Sequence, residues 1–357
     1  MPLDGQVVVG ERVTFNNKGQ AVINERALAL ADCDWIEPGD GSGVMLTGSA
    51  NKRLGVWLVD GSWLPVTTIT SADKDHVLLL TGPLGKIALP LTAIRGWGIG
   101  VEMVGQESKE DQVLLESGLL TGRVDGLVAG KIIFKSPLDP NKPLELAVEQ
   151  IRAVRLAVPV RAAKGVRLAV HMDDLHPPLR MVPTTTGLGL YAAPSIDMTA
   201  VLMPMRLRTE GGRRVYLNDL DPDLKEETGA FGVVWPFQRG KNLDGSPLRL
   251  GGVRYEHGLS IHSQARLGWN LNGAYTRFRT SVGIADLVAD QGDCAASLLV
   301  DDKVVWSRDS VRGGERPQLI DLDLTGAKRL EIRVDYGARF DIADHFILAD
   351  AFLITVK

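Results

Sequence analysis

Apolar and polar residues alternate in short runs along nearly the whole of this 357-residue chain, and Gly, Asp and Pro close off each run. Convincing 3.6-residue periodicity is almost absent. A period of two places every second side chain on one face of a pleated strand, whereas a helix needs apolar residues three and four apart. The 39 glycines help to supply the many reversals that short strands need. The predicted fold class is therefore all-β.

Composition bounds the rest. An apolar fraction of 45% with 24% charged residues is that of an ordinary globular chain, and the length allows two or more cored domains. The formal net charge of −4 lacks the basic excess of a polyanion binder. The local run of Arg206, Arg208, Arg213 and Arg214 reads as a solvated face, so no nucleic-acid partner is expected. No apolar stretch approaches the roughly 18 residues of a membrane-spanning helix. Cys33 and Cys294 stand far apart, each read as a small buried apolar residue rather than half of a disulfide framework. Met1 to Asp4 shows none of the charged and apolar character of a secretory signal. The protein is then either cytosolic or begins after a removed signal.

The first two-thirds repeats. Val56 to Val66 turns at Asp60-Gly61, followed by His76 to Leu80, Lys86 to Leu91 and Ile94-Arg95. The order returns as Val113 to Gly122 turning at Ser117-Gly118, then Lys131 to Phe134, Leu144 to Leu146 and Ile151 to Val154. A weaker copy runs through Val166 to Val170, Gly187 to Tyr191 and Ala200 to Leu207. A period of about 50 residues with four or five strands resembles tandem SH3-like or Sm-like small barrels in strand pattern alone. The segments expected are 1–50 (a β segment), 51–105, 106–160 and 161–212 (small barrels), and 213–357, with the Gly211-Gly212 pair as the joint. The repeats read as spacers or assembly modules.

From Arg214 onward the runs lengthen. Phe278, Thr280 and Val282 share a face, as do Ile320, Leu322 and Leu324, and Leu330, Ile332 and Val334. The mostly apolar run from Phe346 to Val356 should be a central strand. Eight or nine antiparallel strands in some 145 residues close most easily as a two-sheet sandwich, whose loops at one end must supply any site. The richest stretch, from Gly252 to Asn272, reads strand, Gly-hinged turn with His257 and His262, then a strand with Ala265, Leu267, Trp269 and Leu271 on one face. Three of the six histidines fall in this C-terminal third.

These residues carry a resemblance. Arg214-Val215-Tyr216-Leu217-Asn218-Asp219-Leu220, the run from Leu248 to Leu271, Tyr275-Thr276-Arg277-Phe278, Val282 to Asp286 and Asp344 to Ala351 follow, in order, the motifs of the NPCBM family of carbohydrate-binding modules. Two positions depart: Ala285 stands where the family carries an acidic residue, and Leu348 where it carries an aromatic. The resemblance covers about 40% of the chain. It implies a galactose-binding-like jelly roll, related to carbohydrate-binding module family 51, whose loops bind sugars in some members. Such domains after small β-repeats resemble exported proteins of planctomycete-type bacteria, which implies export to the periplasm or cell surface.

The candidate ligand-binding residues are His262, His345, Asp344, Trp235, Tyr255 and Glu256. His262 has two readings: a hydrogen-bond partner for a sugar hydroxyl, or a partly buried imidazole bonding a loop carbonyl. His345 could be oriented by Asp344 or by backbone. Trp235 could offer its face to a pyranose or pack inward; Trp269 should be packing, and His257 exposed. Asp219 and Asp350, near the ends of the domain, are a candidate pair for a structural Ca²⁺, and no other cofactor is expected.

Enzyme readings fare poorly. His-Glu-x-x-His, G-x-S-x-G and a Gly-rich phosphate loop are all missing from the sequence. His257 and His262 are badly spaced for one metal. Nothing fixes Asp341 and Asp344 at the roughly 5–10 Å that a glycosidase carboxylate pair needs. The expectation is a non-catalytic protein that binds a carbohydrate or glycan-bearing surface and self-associates for avidity. The alternative is a structural protein whose jelly roll makes protein contacts without sugar.

Overall fold

A computed structural model describes residues 13–33, 35–36, 54–73, 75–81, 84–99, 108–159, 161, 164–170, 172, 177–185, 187–199 and 207–356. β-Strands dominate throughout, linked by turns and single-turn 3-10 helices. The all-β reading holds. The chain divides into two compact units, Met1–Gly212 and Arg213–Lys357.

In the first unit, Val13–Asn16, Gln20–Ile23 and Arg26–Ala29 form a meander. The Asn16 side chain accepts from the amides of Lys18 and Gln20 at its first turn. Three strand sets follow, the first of six strands and the other two of five. The first comprises Leu54–Leu58, Trp63–Pro65, Thr68–Ser71, His76–Thr81 and Gly85–Pro90, and Ile94–Ile99 then returns to Leu54–Leu58, making six strands where the extra short strand Trp63–Pro65 closes the hairpin. The second is Asp111–Leu115, Gly118–Val128, Lys131–Ser136, Asp139–Ala147 and Ile151–Arg155. The third is Arg167–Val170, Leu179–Pro183, Leu188–Leu190, Ala193–Asp197 and Leu207–Glu210. In each set the first strand pairs antiparallel with the last. A 3-10 turn, Leu91–Ala93 or Val148–Gln150, precedes the last strand in the first two. The Asp60-Gly61 reversal forms as its sequence requires: Gly61 sits at φ +80°, and Asp60 accepts from the amide and hydroxyl of Ser62. One apolar cluster runs from Phe15 to Leu207.

The second unit is a two-sheet sandwich. One sheet orders Gln238–Arg239, Gly258–Ile261, Phe346–Thr355, Tyr275–Ile284 and Gln318–Asp323, with Arg214–Tyr216 also paired to Phe346–Thr355. The other orders Leu224–Glu227, Ala265–Asn270, Arg329–Tyr336, Asp293–Val300 and Lys303–Arg312. The chain crosses between sheets repeatedly, as from Gly258–Ile261 to Ala265–Asn270, the habit of a jelly roll. Alternation decides the core: Ala265, Leu267, Trp269 and Leu271 are buried together with Phe278, Val282, Ile320, Leu330, Ile332 and Val334. Phe346–Thr355 is central, as its apolar run demands. Cys33 and Cys294 are both buried.

Both departures from the family motifs fall in this interior. Ala285 and Leu348 are fully buried, so an aliphatic residue at 348 changes packing and leaves the loop rim alone.

Candidate functional site

Strand register builds the rim. Ile261 lies opposite Phe346 in the Gly258–Ile261 and Phe346–Thr355 pair, so the next residues outward, His262 and His345, meet at the same end of the sheet. On the other side Gln238 lies opposite Ser260, which carries the preceding residues, Trp235 to Phe237, back past His262. Three rings meet there. Trp235 lies over His262 at a centroid distance of 5.8 Å and 22° between planes, and 6.4 Å from His345. The two imidazoles are 5.9 Å apart, edge to face. Trp235 is 45% exposed, whereas His262 is 6% exposed. The indole therefore presents the surface and His262 forms part of its floor.

Hydrogen bonds fix this floor. His262 Nδ1 lies 2.8 Å from the carbonyl oxygen of Ser263, which only accepts, so Nδ1 carries a proton, and in the neutral imidazole Nε2 is the acceptor. Ser263 donates its hydroxyl to Asp344 Oδ2 at 2.5 Å. Asp344 is fully enclosed, and its carboxyl is pushed up to about 6 by burial; the Ser263 hydroxyl opposes that shift, while nearby Asp293 and Asp341 charges add to it. His345 is held below the usual histidine range by burial and by His262, with the Asp244 charge opposing. Its Nδ1 is buried without a hydrogen-bond partner. A buried nitrogen left in that state costs free energy that a ligand hydroxyl could recover.

The loop presenting His345 is held under conformational strain. Phe340 and Ala343 sit at φ +58° and +60°, where side chains are rarely tolerated. Asp341 Oδ2 accepts from the amide of Ala230 at 3.0 Å, joining this loop to the one that carries Trp235. Phe237 donates its amide to Glu227 Oε1 at 2.5 Å, anchoring the far end of the Trp235 segment.

The remaining candidates go elsewhere. Tyr255 packs on a separate small cluster of Leu248, Leu250, Ala285, Ile347 and Ala349. Glu256 is half-buried in the same stretch. His257 is not exposed as expected: it stacks face to face on Tyr216 at 3.7 Å and 8°, with the Asn218 amide at 3.5 Å from its Nδ1. Asp219 accepts from Asn218 Nδ2 at 2.8 Å, and Asp350 donates its amide to the His257 carbonyl. Among the described residues no group of three His, Cys, Asp or Glu gathers as a metal cage.

Sequence reasoning missed the turn beside His345. Asp244 accepts from the amide and hydroxyl of Ser246, and its charge reaches His345. Asn242, 2% exposed, donates to Ser246 Oγ and to the Pro247 carbonyl, while its Oδ1 has no partner. The Asn-Leu-Asp-Gly-Ser run at 242–246 was the only signal, and it reads as a turn.

Comparison with known proteins meets this geometry at one point: the NPCBM/NEW2 domain family matches residues 213–354. Residues 213–354 form an NPCBM/NEW2 domain. A Renibacterium salmoninarum protein, provisionally named an endo-alpha-N-acetylgalactosaminidase, is 32% identical over 91 residues, which is 26% of this chain. The match spans only 6% of that relative's length. A family 51 carbohydrate-binding module from Clostridium perfringens, solved with methyl-galactose, is 23% identical over 39% of this chain and 99% of its own, with a TM-score of 0.36. Tandem family 51 modules of a Streptococcus pneumoniae family 98 glycoside hydrolase are 13% identical over 92% of this chain and 98% of theirs, also at 0.36. The NPCBM/NEW2 assignment agrees with the order of motifs in the sequence and with the sandwich they build. No helix among the described residues is long and apolar enough to cross a membrane.

Proposed function

We propose that the NPCBM/NEW2 domain binds a glycan at the rim where Trp235 overlies His262 and His345, and that it does so without catalysis. The carrying observation is the half-exposed indole resting on a buried imidazole. A pyranose presents a C–H face to such a ring and its hydroxyls to neighbouring polar atoms. His262 Nε2 serves as an acceptor, and the unpartnered Nδ1 of His345 serves a hydroxyl from below. Asp344 Oδ2 is held by Ser263 and Asp341 Oδ2 by Ala230, so one oxygen of each carboxylate is committed to the scaffold, while Asp344 Oδ1 is buried without a partner. That commitment favours recognition over acid–base chemistry.

The expected affinity for one sugar is weak, because a shallow polar site gains little after water is displaced, and self-association would add avidity. The three strand sets of the first unit are read as small barrels that space or assemble the module, in a protein exported to meet surface glycans.

The test is calorimetric titration of the full chain with methyl-galactose alongside a glycan array. Trp235→Ala should weaken the bound sugar about tenfold, near 1.4 kcal/mol. Its unfolding free energy should move by less than about 0.5 kcal/mol, since the ring is half in solvent. Binding untouched by Trp235→Ala, or no glycan bound at millimolar concentration, would overturn the reading and favour a protein-contact module.

A further inference from the structure

The segment that carries Trp235 also walls a second concavity. A cleft of about 550 Å³ is lined by Asp221, Lys225, Phe237, Gln238, Arg239 and Lys241. Its size lies within the roughly 300–1,000 Å³ of small-molecule clefts. Phe237 follows Trp235 by two residues, at most about 7 Å along the chain. The Trp235 platform and the cleft therefore share one short segment.

The cleft's charge is unusual for a protein with a formal net charge of −4. Lys225 Nζ stands 5.0 Å and Arg239 Cζ 5.4 Å from the centroid of the Phe237 ring. Two cations held at one aromatic ring repel each other, although the ring itself attracts both. Their compensation is partial. Arg239 pairs with Asp221 at 2.7 Å, but that carboxylate's side chain is 94% exposed and the pair is weak. Lys225 reaches Glu227 at 3.2 Å. Lys241 makes no ion pair among the described residues. A ligand anion entering the cleft would replace Asp221 on the Arg239 fork and give Lys241 its counter-charge. Arg239 and Gln238 would supply directed N–H donors, and Phe237 an apolar wall.

We propose that this cleft receives the carboxylate or sulfate of an acidic sugar residue, next to the Trp235 platform. The proposal rests on the saccharide reading above only in taking the ligand to be a glycan. The experiment is titration of the full chain with trigalacturonate and its carboxyl-reduced galactose trimer, and with galactose 6-sulfate and galactose. At low salt an acidic probe should bind about three- to tenfold tighter than its neutral match. The advantage should shrink toward one near 1 M salt, where screening reaches about 3 Å. The double variant Arg239→Ala/Lys241→Ala should bring the ratio close to one, whereas Trp235→Ala should weaken acidic and neutral trimers together. A preference limited to galactose 6-sulfate assigns the cleft to sulfate, and one limited to trigalacturonate assigns it to carboxylate; either supports the proposal. Equal affinities at low salt, or a preference that survives the double variant, would overturn it while leaving the Trp235 site standing. Failure of every probe to bind would remove both.

Discussion

Asp344 carries the largest electrostatic tension of the rim. Its carboxyl is enclosed, and burial outweighs the Ser263 hydroxyl that favours the ionised form. The folded value of about 6 lies above the unfolded carboxylate value near 3.8. The contribution to stability is therefore whole below about pH 4 and is lost as pH rises through 6. A shift of that size corresponds to about 3 kcal/mol. Asp344→Asn removes the titration, so relative to the unaltered protein the variant should be better off at pH 7.5 than at pH 4 by about 2–3 kcal/mol. Denaturant titrations at the two pH values check this, and identical differences would mean that the enclosed carboxyl does not titrate in that window. His345, held below its usual range, stays neutral at pH 7 and above, so sugar affinity should be flat between pH 7 and 8 when measured by the same calorimetry.

Among the elements, Phe346–Thr355 decides whether the rim exists, because it lies between Gly258–Ile261 and Tyr275–Ile284 and sets where His345 falls. The pairing with Gly258–Ile261 starts at a glycine with a special demand. Gly258 sits at φ +147°, and a Cβ there would come 2.4 Å from the Leu348 carbonyl oxygen. Gly273, at φ +70°, has open space around the same position. Gly273→Ala should therefore cost only the left-handed penalty of about 1–2 kcal/mol. Gly258→Ala should cost at least about 1 kcal/mol more than Gly273→Ala, as the two strands part. It should also abolish the Trp235–His262 contact, visible as a change in tryptophan emission. Equal costs at the two glycines would show that the strands can separate without penalty.

For the whole molecule, the second unit has its own enclosed core, from Leu217 to Leu353, and all of its sheet partners lie within residues 214–355. A chain of residues 213–357 should fold alone with one cooperative transition, and should keep the sugar affinity of the full protein to within about twofold for a monovalent sugar. Thermal unfolding and calorimetry on that fragment test both. A fragment that fails to fold, or that folds and loses the sugar, would make the first unit part of the site. On multivalent glycans the full chain should gain if the first unit assembles copies.

Period-two alternation determined the all-β class and most of the core, because a pleated strand leaves no choice about which residues share a face: Leu267 and Trp269 follow from spacing alone. The ordered motifs from Arg214 to Ala351 determined the domain family. Tertiary structure decided the rest. Register set His345 opposite His262 and brought Trp235 over them, whereas Tyr255 and His257, just as polar and as close in sequence, turned to other partners. Lys225 and Lys241 became members of one cleft only when strands remote in sequence lay side by side. Alternation specifies a face, but the meeting of side chains from separate loops depends on how strands pair, and that is written in long-range contacts rather than in any local run.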